Sequence, residues 1–208
     1  MKFLVADDHA IVRKGLAQIL CDEFPSAIVK EVSNSHEVME EVQKDIWDVI
    51  LLDISMPGRN GIETLKQLRS TGIKAPVLML SMHPEEQYAV RVLKAGASGF
   101  LNKETATDEL LVAVRKVLSG RKYISATVAE KLAEAVGENE GKPAYELLSD
   151  REMQVLQHIA SGKTVSEIGD ELSLSVNTIS TYRARILEKL NLSNNAELTR
   201  YALDHKLV

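Results

Sequence analysis

A single cysteine, Cys21, stands in the 208 residues, so no internal disulfide can staple the chain and a reducing compartment is natural to it. Lying among apolar positions of a candidate helix, Cys21 reads as a small buried hydrophobe. No stretch approaches the roughly 20 apolar residues of a membrane span. The opening MKFLVADDHAIVRKG meets two aspartates before any apolar run long enough for a secretory signal. A cytoplasmic protein with no membrane partner is expected. Excess positive charge is also missing: residues 1–120 carry 14 Lys and Arg against 17 Asp and Glu, and residues 121–208 carry 11 against 13, for a net charge of −5. A uniformly basic nucleic-acid-binding domain is thereby excluded, and any such site must be a local patch. Neither a P-loop nor a G-x-G-x-x-G offers a nucleotide cofactor its phosphate cradle. No repeat of 20–50 residues points to a solenoid.

What is present suits a packed protein, with 45% hydrophobic and 26% charged residues over a length that fits one or two domains. From Phe3 to Leu118, short apolar runs alternate with helical periodicity. The runs are Phe3–Ala6, Ala27–Val32, Trp47–Leu52, Pro76–Leu80 and Ser98–Leu101, the form taken by strands covered on both faces. Between and after them, Val12, Leu16, Ile19 and Leu20, and then Leu110, Val114 and Val117, keep helical spacing. Five such repeats imply an α/β fold, a five-stranded doubly wound parallel sheet with helices on its faces.

After Gly120 the pattern changes. Residues 121–145 read as a linker holding a helix over 125–136 and the Gly/Pro/charge cluster Gly137–Pro143. Residues 146–208 then read as a small all-α domain of four helices. Ser149-Asp-Arg-Glu152 is a capping-box signal for a helix with Met153, Leu156 and Ala160 on one face, ended by Gly162. Two more helices fit Val165–Leu172 and Val176–Leu190, separated by Ser173–Ser175, and a fourth fits Ala196–His205.

In an open parallel sheet the functional crevice lies at the carboxyl ends of the strands. Asp7 and Asp8 follow the first strand there, Asp53 the third, Ser81 the fourth and Lys103 the fifth. Converging carboxylates repel one another unless a cation neutralises them, and Mg²⁺ suits carboxylate, water and phosphate oxygens. One carboxylate can then attack an activated phosphoryl group, with Lys103 pairing its oxygens and Ser81 donating a hydrogen bond. Each residue has a plainer reading: Asp8 as a helix cap, Asp53 as a turn residue before Pro57-Gly58, Ser81 and Lys103 as solvated surface. His9, beside the acidic pair, reads as a surface residue at a helix start, since no second His or Cys lies in motif spacing.

Ala6-Asp-Asp-His9, Leu51-Leu-Asp-Ile-Ser-Met-Pro-Gly58, Leu80-Ser81, Ala95-Gly-Ala-Ser-Gly99 and Phe100-Leu-Asn-Lys103 together resemble the receiver domain of two-component response regulators, and the whole chain resembles the NarL/FixJ type. The resemblance implies a flavodoxin-like receiver over residues 1–120 with Asp53 as phosphoacceptor. It implies Mg²⁺ held by Asp8, Asp53 and the backbone carbonyl of Ser55, with Asp7 acting through water. Ser81 and Phe100 match the family's switch positions; Phe100 from pattern alone is equally a core residue. Lys103 is followed by Glu104 where many receivers have proline.

The second helix of a tight helix-turn-helix enters the DNA major groove. Here Val176–Leu190 has an apolar face of Val176, Ile179, Ile186 and Leu190, with Tyr182 partly on it. A second face carries Asn177, Ser180, Thr181, Ala184 and Arg185. Short side chains allow approach to base edges, and Arg183, Arg185 and Lys189 supply charge for phosphates. Periodicity alone also allows a helical protein-interaction bundle. Leu148-Ser-Asp-Arg-Glu152, Val155-Leu156, Gly162, Glu167-Ile168, Leu172, Thr178-Ile179 and Lys189-Leu190 resemble the LuxR-type DNA-binding domain. That resemblance places Ser180, Thr181 and Ala184 at base-reading positions and adds Thr178 and Tyr182 to the DNA-facing set. Tyr182 stands where the family commonly has histidine, and Lys163–Ser166 departs from its usual turn.

Together these resemblances imply a transcription regulator phosphorylated by a sensor histidine kinase and binding double-stranded DNA, as a homodimer when phosphorylated or DNA-bound. A phosphatase or phosphotransferase that turns over is disfavoured, because position 55 is Ser and no Asp lies two residues after Asp53 to act as acid and base.

Overall fold

The computed structural model describes residues 1–82, 85–125, 128–130, 143–205 and 207–208. They belong to two compact units, Met1–Glu134 and Ala135–Val208.

The first unit alternates β1 (Lys2–Ala6), α1 (Ala10–Glu23), β2 (Ile28–Val32), α2 (Ser35–Lys44), β3 (Val49–Asp53), α3 (Gly61–Ser70), β4 (Val77–Ser81), α4 (Glu85–Lys94), β5 (Gly99–Asn102) and α5 (Ala106–Leu118). All five strands pair in parallel, in the order β2-β1-β3-β4-β5. Because side chains alternate across a strand, Phe3, Val5, Leu51, Leu78, Leu80 and Leu101 share one face and pack on Leu16 and Leu20 of α1 and on Leu110, Val114 and Val117 of α5. The intervening Leu4, Ile50 and Leu52 are equally buried, as are Val38 of α2, Ile62 and Leu65 of α3 and Val92 of α4. Every residue of β3 and β4 is buried, so their carboxyl ends are held without slack. Asn34 and Asn60 fix the starts of α2 and α3, each side chain accepting the backbone N–H of the glutamate three residues on.

Three expectations change. The edge strand β2 is not covered on both faces: Ile28, Lys30 and Glu31 are exposed, and the charges there discourage further strand pairing. The third strand begins at Val49, not Trp47; the Trp47 ring is buried outside the ladder, and its Nε1–H donates to the Glu41 carbonyl at 3.1 Å. Cys21 is exposed, because Leu16 and Leu20 turn towards the sheet and the next residue falls about 100° further round the helix. Beyond α5 the chain returns to the open edge of β5, where Tyr123 bridges Gly99. A Cβ at Gly99 would lie 2.8 Å from the Tyr123 carbonyl oxygen, so the approach requires glycine.

Residues 128–130 are helical, and the Ser125 Oγ accepts the Val128 N–H at 3.2 Å. Residues 126–127 and 131–136 of the expected 125–136 helix lie outside the described residues, as do residues 137–142 of the expected linker.

In the second unit a 3-10 turn, Ala144–Leu147, precedes α6 (Asp150–Ala160), α7 (Val165–Leu172), α8 (Val176–Leu190) and α9 (Asn195–Asp204). The capping box at α6 forms as expected: Ser149 Oγ accepts the Glu152 N–H, and Glu152 Oε2 accepts the Ser149 N–H. Thr164 and Glu167 build a second one at α7. Val155, Leu156, Ile168, Ile179, Ile186 and Leu198 form the buried centre. A Cβ at Gly169 would meet the Leu174 carbonyl oxygen at 2.8 Å, so glycine lets the turn after α7 fold back against that helix.

Candidate functional site

At the carboxyl edge of the sheet, the buried ladders carry Asp7, Asp53, Ser81 and Lys103 to one place. Backbone bonds hold the edge together: Ile54 N–H donates to the Leu80 carbonyl at 2.9 Å, and Lys103 N–H to the Ser81 carbonyl at 2.8 Å. Ser81 is fully buried. The Lys103 ammonium lies 2.7 Å from Asp7 Oδ2 and 2.9 Å from Asp53 Oδ2. These are ion pairs by distance, yet both Asp53 oxygens and Asp7 Oδ2 are buried and lack a hydrogen bond of normal geometry among the described residues. Buried acceptors in that condition favour a cation or a donor-bearing ligand.

Electrostatics point the same way. Burial pushes the Asp53 carboxyl up to about 6, and the neighbouring Asp7 charge adds to the rise against the opposing pull of Lys103. For Lys103, burial works against the charged form, but the Asp53 and Asp7 carboxylates outweigh it and hold the pKa above the usual lysine value. A ligand atom from each of Asp7, Asp8, His9 and Asp53 lies within 4.8 Å of the others. Hard carboxylate oxygens, two of them buried on Asp53, fit a divalent cation such as Mg²⁺.

His9 occupies the N-cap of α1, so Asp8 is not the helix cap that a local reading allowed. The His9 backbone N–H donates to Asp7 Oδ1 at 2.8 Å, and its ring is 64% exposed, as expected of a residue at a helix start. Its Nδ1 nevertheless lies 2.7 Å from Asp8 Oδ1. Ser55 follows Asp53 in the next loop, and Phe100 is buried in β5, opposite Met79 in the ladder.

Sequence reasoning missed Gly61. A Cβ there would stand 2.0 Å from the Asp53 carbonyl oxygen, while the Gly61 N–H donates to the Ile54 carbonyl at 2.9 Å. The start of α3 therefore braces the backbone of Asp53, and a glycine opening a helix gave no signal of that contact.

On α8, Asn177, Ser180, Thr181, Ala184 and Arg185 are exposed on the face expected to meet DNA. Thr181 Oγ1 donates to the Asn177 carbonyl at 2.9 Å. Thr178 is half-buried, with its Oγ1 2.8 Å from the capping Ser175 hydroxyl. Tyr182 is half-buried, and Arg183 is bonded through Nε to Asn195 Oδ1. Val176, expected on the apolar face, is 49% exposed, because it opens the helix ahead of the buried Ile179.

Lys189 was expected among the phosphate-reaching cations, but its Nζ lies 2.7 Å from Glu152 Oε2 and 3.2 Å from the Leu147 carbonyl oxygen. Burial pushes the Glu152 carboxyl up, but Lys189 and Ser149 outweigh it and hold the carboxyl below the usual range. The partner lies 37 residues away in sequence, so α8 spacing could not reveal it.

Residues 3–115 match the model of the response regulator receiver domain, and residues 146–202 match that of bacterial regulatory proteins of the luxR family. The chain is 36% identical to response regulator UvrY of Escherichia coli over 205 residues, 98% of this chain and 94% of that protein. It is 32% identical to response regulator GacA of Pseudomonas aeruginosa over 209 residues, covering 100% of this chain and 98% of the other. Among solved structures, RcsB of Salmonella enterica serovar Typhimurium, bound to promoter rprA in the presence of phosphomimetic BeF3−, matches with a TM-score of 0.66 and 27% identity over 97% of each chain. With the acidic edge in the first unit, the helix-turn-helix in the second and a match on both, this chain belongs to the two-component response regulators that join a receiver to a LuxR-type DNA-binding domain, transcription regulators and not turnover enzymes.

Proposed function

We propose that Asp53 is the phosphoacceptor and that its modification by a cognate sensor histidine kinase controls DNA binding by the second unit. The observation that carries this reading is the buried Asp53 carboxylate, held 2.9 Å from the Lys103 ammonium at the carboxyl edge of the sheet. An Asp53 oxygen bonds to phosphorus as the bond from phosphorus to the donor imidazole nitrogen breaks, leaving the electron pair on that nitrogen. Asp8, Asp53 and the Ser55 carbonyl would hold Mg²⁺, with Asp7 through water, and the ion when bound neutralises the gathered negative charge. Lys103 pairs with one phosphoryl oxygen, and the Ser81 hydroxyl donates to another. Drawing those two groups inward shifts the ends of β4 and β5, and Phe100 of β5 repacks.

In the domain division we propose, residues 1–120 are the receiver, 121–145 the linker and 146–208 the DNA-binding domain. Asn177, Ser180, Thr181, Ala184 and Arg185 form the base- and phosphate-facing surface of α8, flanked by Thr178, Tyr182 and Arg183. Lys189 acts chiefly by fixing α8 to Glu152 and leaves phosphate contact to the arginines. Moving a two-state equilibrium from 1:99 to 99:1 requires about 5.5 kcal/mol, more than one new hydrogen bond supplies, so dimerisation contributes to the shift. Solved RcsB complexes include two dimers bound to two parallel DNAs, which supports a dimer on double-stranded DNA here. The site of action is the cytoplasm, and no described helix is long and apolar enough to cross a membrane.

The test is incubation of the full chain with acetyl phosphate and Mg²⁺. One acid-stable, base-labile phosphate per chain is expected, and none on Asp53→Asn. Equal uptake by the variant refutes Asp53, and continuous release of phosphate over many turnovers refutes a regulator's receiver.

A further inference from the structure

We propose that Tyr123 clasps the start of the linker to the open edge of β5, and that phosphate on Asp53 opens this clasp. The clasp rests on the reading of Asp53 as the phosphoacceptor that governs DNA binding, and it supplies the path by which a shift of β5 reaches the linker.

Backbone and side chain build it together. The Tyr123 N–H donates to the Ser98 carbonyl at 2.8 Å. Ser98 is itself tied to β4, its N–H donating to the Val77 carbonyl at 2.8 Å and its Oγ accepting the Val77 N–H at 3.3 Å. Beside it, Gly99 leaves no space between β5 and the returning chain: a Cβ there would lie 2.8 Å from the Tyr123 carbonyl oxygen and 2.9 Å from the Tyr123 Cβ. The half-buried Tyr123 ring packs against the cluster that includes Leu101 and Val117, and its hydroxyl donates to Glu109 Oε2 of α5 at 2.8 Å. The Lys116 ammonium stands 5.6 Å from the ring centre, within reach of a cation–π contact. Further on, Val128 is buried, and the first compact unit runs to Glu134, so the start of the linker folds with the receiver.

The sheet order shows why phosphate would open the clasp. Asp53 ends β3, β5 is the outermost strand, and β4 lies between them. Lys103 directly follows β5, a strand of only 4 residues that begins at Gly99, so drawing Lys103 towards a phosphoryl group on Asp53 tilts the strand as one piece. A tilt that carries Ser98 and Gly99 inward lengthens the bond to Tyr123. One that carries them outward drives Gly99 into the Tyr123 carbonyl, where there is no room. Hydrogen bonds weaken steeply outside a narrow range of distance and angle, so either tilt loosens the clasp and frees the linker from the β5 edge.

The test is hydrogen exchange of the full chain, read by mass spectrometry on the peptide spanning residues 119–125, with and without the phosphate mimic beryllofluoride and Mg²⁺. Exchange there should quicken at least fivefold with the mimic in wild type and stay unchanged in Asp53→Asn. In parallel, a DNA duplex selected with the full chain is titrated with wild type, Tyr123→Ala and Tyr123→Phe. Tyr123→Ala should cut the gain in affinity produced by the mimic at least fivefold, because its clasp is already open without it, while the initial rate of phosphate uptake stays within twofold. Tyr123→Phe keeps the ring packing and the backbone bond and should retain at least half the gain. A 119–125 peptide indifferent to the mimic, in a wild-type chain that fluorine NMR shows to carry it, overturns the clasp, and so does a full gain in Tyr123→Ala. The exchange measurement uses the wild-type sequence and does not depend on a variant folding. Wild type that carries the mimic yet gains nothing in DNA affinity sinks the control of DNA binding by Asp53 instead, and the exchange result then decides the clasp alone.

Discussion

Gly61→Ala isolates the bracing of Asp53 by α3. The added Cβ would stand 2.0 Å from the Asp53 carbonyl oxygen, 2.8 Å from its carbon and 3.0 Å from Ile54 Cα. All three are backbone atoms, so no rotamer change relieves the clash. Ordinary carbon–oxygen contacts begin near 3.3 Å, so α3 or the Asp53 backbone must retreat by about 1.3 Å. Overpacking of this kind costs about 1–3 kcal/mol, and losing the Gly61-to-Ile54 hydrogen bond adds about 1 kcal/mol. The helix preference of alanine over glycine, about 1 kcal/mol, offsets part of that, for a net loss of about 1–3 kcal/mol. Because the acceptor carboxylate hangs from the displaced backbone, a shift of about 1 Å should slow phosphate uptake by on the order of 100-fold. Urea unfolding reads the first effect and the initial rate with acetyl phosphate the second. An unchanged urea midpoint together with a rate within twofold of wild type would refute the bracing role.

Since the raised Asp53 pKa means the carboxylate is protonated below about 6, uptake should fall as pH drops through that value in limiting Mg²⁺ and recover as Mg²⁺ is added; a flat rate from pH 8 to pH 5 would contradict it. The same shift stabilises the fold below the unfolded value of 3.8 and is lost as pH rises through about 6, so Mg²⁺ should raise the melting temperature more at pH 8 than at pH 5. Lys189→Ala should destabilise the second unit by about 1–2 kcal/mol, discounted for the exposed lysine, while Arg185→Ala should lower the salt slope of DNA binding by about 1; a salt slope that falls equally for Lys189→Ala would restore it as a phosphate contact. Ala184→Glu puts a carboxylate on the exposed face of α8 and should abolish footprinting that Thr181→Ala only weakens; protection like wild type in both would displace the recognition surface.

Strands β1, β3 and β4 could be located from apolar runs because burial on both faces leaves little room for polar residues in them. Strand ends were less legible. Asp53, Ser81 and Asn102 belong to their ladders, yet hydrophobicity stops one residue earlier in each case, at the point where the chain turns from core to chemistry. Trp47 misled for the opposite reason: it is apolar and buried but packs from a loop. The capping signal at Ser149 was readable because both partners lie within four residues. Gly61 and the Glu152–Lys189 pair were not, since each depends on a neighbour that only the folded chain supplies. His9 was read correctly as surface, but its approach to Asp8 depends on the N-cap geometry of α1 and not on motif spacing.

The central claim is that phosphate on Asp53 changes how the second unit meets DNA. It is tested most directly by selecting DNA with the full chain and measuring affinity and complex mass on that DNA, with and without beryllofluoride, for wild type and Asp53→Asn. Tighter binding as a dimer, in wild type only and only with the phosphate mimic, is expected. Equal affinity with and without the mimic, on a complex containing one chain, would contradict the claim and leave two domains acting independently.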